Sequence, residues 1–238
     1  MTHMHIPDGV LPVPVWLLGF ALMALALGFC LYRLKSADQK KKIPLLGAVS
    51  AVMLVAMSLE ILPLAYHINL SVVAGILLGP ALGFLAAFIT NVILALMGHG
   101  GITVIGLNTL LLGGEAVLGH TLFYLFRNRV PVFWQTALAT VLTLGVTTAA
   151  LIGIVAASHV DPQLFRHEDH AAEQGAAPPG AISVTRFATM VLTLGVLGWL
   201  IEAAISGAVV AFIARVKPDL LGHVLHQDKS AKAGRVAR

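Results

Sequence analysis

Long apolar runs without a charged residue constrain this chain more than any other feature. Val13 to Tyr32, Leu70 to Met97 and Val130 to Ala157 contain no Asp, Glu, Lys or Arg. A helix needs about 20 consecutive apolar residues to cross a bilayer, and these runs reach or exceed that length. The whole chain is 58% hydrophobic and 11% charged, where a soluble globular domain is nearer about a quarter charged. The expected fold is therefore all-α: a polytopic helical bundle in the lipid bilayer. The net charge of +4 does not point to nucleic acid, because the Lys and Arg residues gather in short loops and the C-terminal tail, as the positive-inside pattern requires. The one cysteine, Cys30, excludes an internal disulfide and reads as core filler. The first run is too long for a removed signal peptide and lacks its basic leader and small-residue cleavage site.

Taken in order, the first span is about Val13 to Tyr32. It is followed by Arg33, Lys35, Lys40, Lys41 and Lys42, which places that loop in the cytoplasm and the N-terminus outside. The second span covers Ile43 to about Tyr66 and ends near His67. The run from Leu70 to Met97 is one deeply tilted helix or two shorter ones, with Gly79-Pro80 as the dividing point, since proline ends or kinks a helix. Charge parity decides. A single crossing puts Arg127, Arg129 and the basic tail outside, whereas a break at Pro80 puts them inside. The expectation is thus about seven transmembrane helices, with an outside N-terminus and a cytoplasmic C-terminus. The piece from Leu70 to Gly79 makes only about 15 Å of helix, so it either begins earlier, near His67, or is a short, deeply placed half-helix. The fifth span is about Val104 to Phe126, the sixth about Val130 to Ala157 and the seventh about Arg186 to Ala214. In domain terms, 1–12 is an N-terminal segment, 13–217 the transmembrane domain with an external His-rich loop at 158–184, and 218–238 a basic cytoplasmic tail. Small residues one turn apart, as at Ala203 and Gly207 or Ala204 and Ala208, let helices approach closely.

Against this apolar background a few polar groups stand out. A free amino terminus followed by histidine, as at Met4-His5 if Met4 begins the chain, is a small chelator: amine, histidine amide nitrogen and imidazole can face one cation. That nitrogen set suits Ni(II), Cu(II) and, with relaxed geometry, Co(II). Pro7 stiffens the chain after it and Asp8-Gly9 reads as a turn. His67 and His99 both fall at outer ends of spans, on the side of that chelator, so His67 can add a fourth nitrogen. His99, among glycines, serves either the metal or its own turn, and Asn108 lies early in the fifth span. Glu60, Glu115 and Glu202 interrupt apolar sequence. Ionisable groups at membrane depth face a bundle interior or cavity, and structural hydrogen bonding is the expected role of these three.

Met4-His5-Ile6-Pro7-Asp8-Gly9 resembles the N-terminal signature of the CbiM/NikM family, the substrate-capture membrane subunits of cobalt and nickel energy-coupling-factor transporters. Three further stretches are similar to that family in the same order: His67 ahead of Gly75-Ile76-Leu77-Leu78-Gly79-Pro80, then Gly98-His99-Gly100-Gly101-Ile102-Thr103, then Gly106-Leu107-Asn108-Thr109. The likeness covers about Met4 to Gly119; beyond it the chain matches only in being apolar helices. The resemblance implies that the N-terminal segment folds back into the bundle. It implies a Co(2+) or Ni(2+) ion held by the Met4 amine, the His5 amide and imidazole, and His67. His99 and Asn108 would line the site or orient its ligands, and Asp8 would hold the folded-back segment. It implies a multi-pass protein of a prokaryotic inner (plasma) membrane. The partners implied are a transmembrane coupling subunit, two ATPase subunits and often a small accessory membrane subunit. No G-x-x-x-x-G-K-[ST] pattern occurs, so ATP hydrolysis by that route belongs to partners; the chain is expected to be no enzyme and to carry no catalytic cofactor.

One departure bears on the site. Met1-Thr2-His3 precedes the family pattern, and such an extension would lock the Met4 nitrogen into a peptide bond. Either translation begins at Met4, or trimming of Met1 exposes Thr2-His3 as a substitute chelator, or with Met1 retained His3 completes a planar four-nitrogen set. The first is the expectation, because the spacing from His5 to Pro7-Asp8-Gly9 matches the family. Two other function classes stay open at this level. One is an intramembrane metalloenzyme, with Glu60 as general base, although nothing like H-E-x-x-H occurs. The other is a scaffold bundle whose histidines are incidental.

Overall fold

The computed structural model describes residues 11–34, 41–61, 66–127, 129–157 and 184–221. Seven α-helices run through them in order: α1 (Val13–Arg33), α2 (Ile43–Ser58), α3 (Ser71–Leu78), α4 (Pro80–Leu96), α5 (Ile105–Leu125), α6 (Val132–Ala157) and α7 (Val184–Val216), followed by a 3-10 turn at Pro218–Leu221. The fold is predominantly helical, as expected from the apolar runs. Three stretches, Val13–Arg33, Val132–Ala157 and Val191–Val216, are long and apolar enough to cross a membrane. On α1, Leu17, Leu18, Leu22 and Leu25 are exposed, the surface a lipid-facing helix presents, since lipid tails are as apolar as leucine.

The run from Leu70 to Met97 is broken where the sequence placed the break. Gly79 has φ +88° and ψ 169°, a conformation open essentially to glycine alone, and Pro80 opens α4 at a position where its missing N–H costs nothing. Of the two ways to accommodate the short first piece, the chain adopts the half-helix. α3 begins at Ser71 and all eight of its residues are buried. Its neighbours come very close. A Cβ on Gly75 would lie 2.7 Å from the carbonyl carbon of Ala116 in α5, and one on Gly83 in α4 would lie 2.9 Å from the Gly75 Cα. The small residues of this stretch are therefore what allows an inner helix to be walled in by others.

α1 crosses α5 in the same way: a Cβ on Gly106 would lie 2.5 Å from the Phe20 nitrogen and 2.6 Å from the Gly19 carbonyl carbon. Of the small-residue spacings on α7, Ala203 and Gly207 are buried, Gly207 against the ring and carbonyl of Phe133 in α6, whereas Ala204 and Ala208 are exposed. Cys30 is buried among the core residues, in keeping with its reading as filler.

The second span departs from expectation. α2 ends at Ser58 rather than near Tyr66, and Glu60–Ile61 pairs antiparallel with Tyr66–His67, Glu60 opposite His67. Pro63 lies in this stretch, and a proline disfavours helix both at its own position and at the residue before it. An apolar run alone cannot distinguish a helix's last turn from a two-residue strand.

Candidate metal centre

The strand pair fixes the backbone of His67, opposite Glu60, in the connection between α2 and α3. The second histidine arrives from the α4–α5 connection. Gly98 and Gly100 take φ of +83° and +94°, left-handed values that suit glycine. The His99 N–H donates to the Leu94 carbonyl at 2.8 Å. The chain thus doubles back on both sides of His99, and its ring meets that of His67 edge to face, with centroids 5.7 Å apart. Both residues are half-buried. Two histidines 32 residues apart in sequence are brought together at one place, and His99 has both roles open to it, turn former and neighbour of the candidate ligand.

Asn108 is buried in the first turn of α5, its N–H donating to the Val104 carbonyl at 3.0 Å. Nearby, Asn91 of α4 donates through Nδ2 to the Thr109 hydroxyl at 2.9 Å and to the Ile105 carbonyl at 3.1 Å, tying α4 to that turn. Met4, His5 and Asp8 lie outside the described residues, as do the His-rich loop and the C-terminal tail beyond Leu221. Among the described residues, no three His, Cys, Asp or Glu side chains converge in a way that could hold a metal. His67 and His99 are the two imidazoles that the described residues bring together at this place.

Beneath His67 lies a polar cluster that sequence reasoning grasped only in part. Asn69, fully buried, donates through Nδ2 in a short hydrogen bond to Glu115 Oε2. Its Oδ1 accepts from the Ser71 N–H at 2.8 Å and the Ser71 hydroxyl at 2.5 Å, and its own N–H faces Glu202 Oε2 at 3.4 Å. The Thr147 hydroxyl of α6 sits 3.0 Å from Glu115 Oε1. Glu115, buried, thus does the structural hydrogen bonding expected of it, since a buried carboxylate is tolerable only when so satisfied; Glu202, also buried, is met at Oε2 by the longer contact from the Asn69 N–H. Asn69 was missed. A single Asn between Ile68 and Leu70 has no periodic or motif signal; its proximity to His67 in sequence was the only available hint.

Residues 5–220 match the family model CbiM, described as the cobalt uptake substrate-specific transmembrane region. A protein of Haloquadratum walsbyi named for metal transport is 34% identical over 226 residues, covering 92% of this chain and 93% of its own. A fused nickel transport protein NikMN of Archaeoglobus fulgidus is 30% identical over 230 residues, covering 92% and 68%. The cobalt transport protein CbiM of Clostridium tetani is 30% identical over 162 residues, covering 62% and 66%. A crystal structure of a transition metal transporter shares the fold with a TM-score of 0.73 at 22% identity, over 90% of this chain and 93% of that one. With its apolar helices and a family match over nearly its whole length, the chain belongs to the CbiM family, as a membrane component of cobalt and nickel uptake.

Proposed function

We propose that this chain captures Co(2+) or Ni(2+) on the outer side of the membrane and hands it to an ATP-driven energy-coupling-factor complex. The metal is its cargo. In this reading the ligands are the Met4 amine, the His5 amide and imidazole, and His67, with His99 and Asn108 orienting them and Asp8 holding the N-terminal segment in place. The observation that carries it is the meeting of His67 and His99 at one end of the bundle. His67, met by the His99 ring, supplies one nitrogen of that set, and nitrogen donors favour Ni(II) and Co(II) over Mg(II) or Ca(II), which prefer oxygen. Pre-placed donors replace the water that a divalent ion must shed before it enters an apolar bundle. The relatives' names divide between nickel and cobalt, and the donor set accepts both.

In this reading the bundle crosses the membrane seven times, with an outside N-terminus and a cytoplasmic C-terminus, so that the site lies on the capture side. Release then falls to a transmembrane coupling subunit and two ATPase subunits, with or without a small accessory subunit, whose ATP-driven motion tilts the bundle and opens the site. Titration calorimetry with nickel and cobalt, on the wild type and on His67→Ala, tests capture. ATP-dependent uptake by the reconstituted complex tests delivery. A protein that binds neither metal, or a His67→Ala variant that binds as well as the wild type, contradicts the assignment.

A further inference from the structure

We infer that Asn69 and Glu115 are positioning residues for the metal ligand His67: the hydrogen bond between them fixes where the imidazole stands. This rests on the reading of His67 as a ligand. His67 sits between two restraints. On its N-terminal side the strand pair holds its backbone opposite Glu60. On its C-terminal side the chain passes through Ile68 into Asn69, two residues on, which is at most about 7 Å of backbone. Asn69 is where the bundle grips this connection. Its amide group is shared between α3, through both donors of Ser71, and α5, through Glu115; its N–H faces Glu202 of α7. Glu115 is in turn met by Thr147 of α6. The Asn69 side chain therefore joins α3 to α5, while α7 reaches its backbone N–H and α6 reaches Glu115 behind it, and none of these groups is more than 8% exposed.

Such a connection would otherwise wander, because a segment of three residues without helix or ladder bonds has little to fix it. A metal site needs its ligands held within about 0.5 Å of the productive geometry. Groups that hold ligands rather than touch the ion commonly govern affinity by about 10- to 100-fold. Glu115 fits that description by its chemistry. It accepts from Asn69 Nδ2 and meets the Thr147 hydroxyl, tasks that a glutamine performs with one amide oxygen and one N–H, Thr147 then donating to the Thr143 carbonyl 3.2 Å away. An alanine performs neither.

The test uses the full chain. Nickel affinity is measured by titration calorimetry and the ligand-field spectrum of the nickel-loaded protein is recorded, for the wild type, Glu115→Gln, Glu115→Ala and Thr147→Val. Glu115→Ala should bind nickel about 10- to 100-fold more weakly with a shifted ligand-field band, while Glu115→Gln stays within about threefold and keeps the band. Thr147→Val, which removes only the hydroxyl behind Glu115, should shift the band the same way with a loss of roughly threefold, and it carries the test if Glu115→Ala fails to fold. A role confined to holding helices together would lower the melting temperature of the metal-free protein without moving the band. Wild-type affinity and an unmoved band in Glu115→Ala, or in Thr147→Val where the alanine variant does not fold, overturn the inference. Equal losses in the Gln and Ala variants do so too. If the wild type binds no nickel, or His67→Ala binds it normally, the reading of His67 falls first and takes this inference with it.

Discussion

Gly75→Ala puts the packing of the inner half-helix to a numerical test. The new Cβ would stand 2.7 Å from the Ala116 carbonyl carbon and 2.9 Å from its Cα. The Ala116 carbonyl oxygen would be nearer still, and carbon atoms pack comfortably at about 3.5 Å or more, so α3 and α5 must part by more than roughly 0.8 Å. The atoms in the way are backbone, so no rotamer change relieves the clash. Overpacking of this kind costs about 1–3 kcal/mol, equivalent to a melting temperature lowered by roughly 2–12 °C for a chain of this size. The assay is thermal unfolding of the purified protein in detergent. Gly28→Ala is the control: nothing lies within 4 Å of a Cβ there, and exchanging glycine for alanine inside an exposed helix is neutral or favourable. Because α3 starts four residues beyond His67, the Gly75 variant should also bind nickel more weakly. If Gly75→Ala melts with the wild type while Gly28→Ala does too, the close approach of α3 and α5 is wrong, and so is the account of how His67 is carried.

Other outcomes follow from the same structure. His5→Ala and His67→Ala should each abolish nickel and cobalt uptake while leaving membrane insertion intact, measured by uptake in cells and by the membrane fraction of the protein. Gly79→Ala should destabilise by about 1–3 kcal/mol, read as a lower melting temperature, because a side chain is strained at φ +88°. Metal affinity should fall as pH is lowered, since an amine and an amide must lose protons to bind; calorimetry across pH, in buffers of differing ionisation enthalpy, would show proton release accompanying binding.

Much of this fold is written in the apolar runs. The runs set the helices, and Gly79-Pro80 divides the third of them for reasons local to two residues, so the break was legible. The boundary of α2 was not. Past Ser58 the sequence stays largely apolar, and only the pairing of Glu60–Ile61 with Tyr66–His67, Glu60 opposite a residue seven further on, marks these two pairs of residues as strands. The site divides along the same line. His67 and His99 were identifiable because histidine is rare in apolar sequence and both fall at ends of spans on the same side. Asn69 was not, because its meaning lies in partners 46 and 133 residues away, and such contacts leave no trace in spacing.

X-ray absorption on the nickel-loaded full chain, with and without His67→Ala, addresses the metal centre itself. The predicted spectrum is a shell of about four nitrogen donors with the multiple-scattering features of imidazole, and His67→Ala should lose part of those features along with affinity. A six-coordinate, oxygen-rich shell that His67→Ala leaves unchanged would contradict the account.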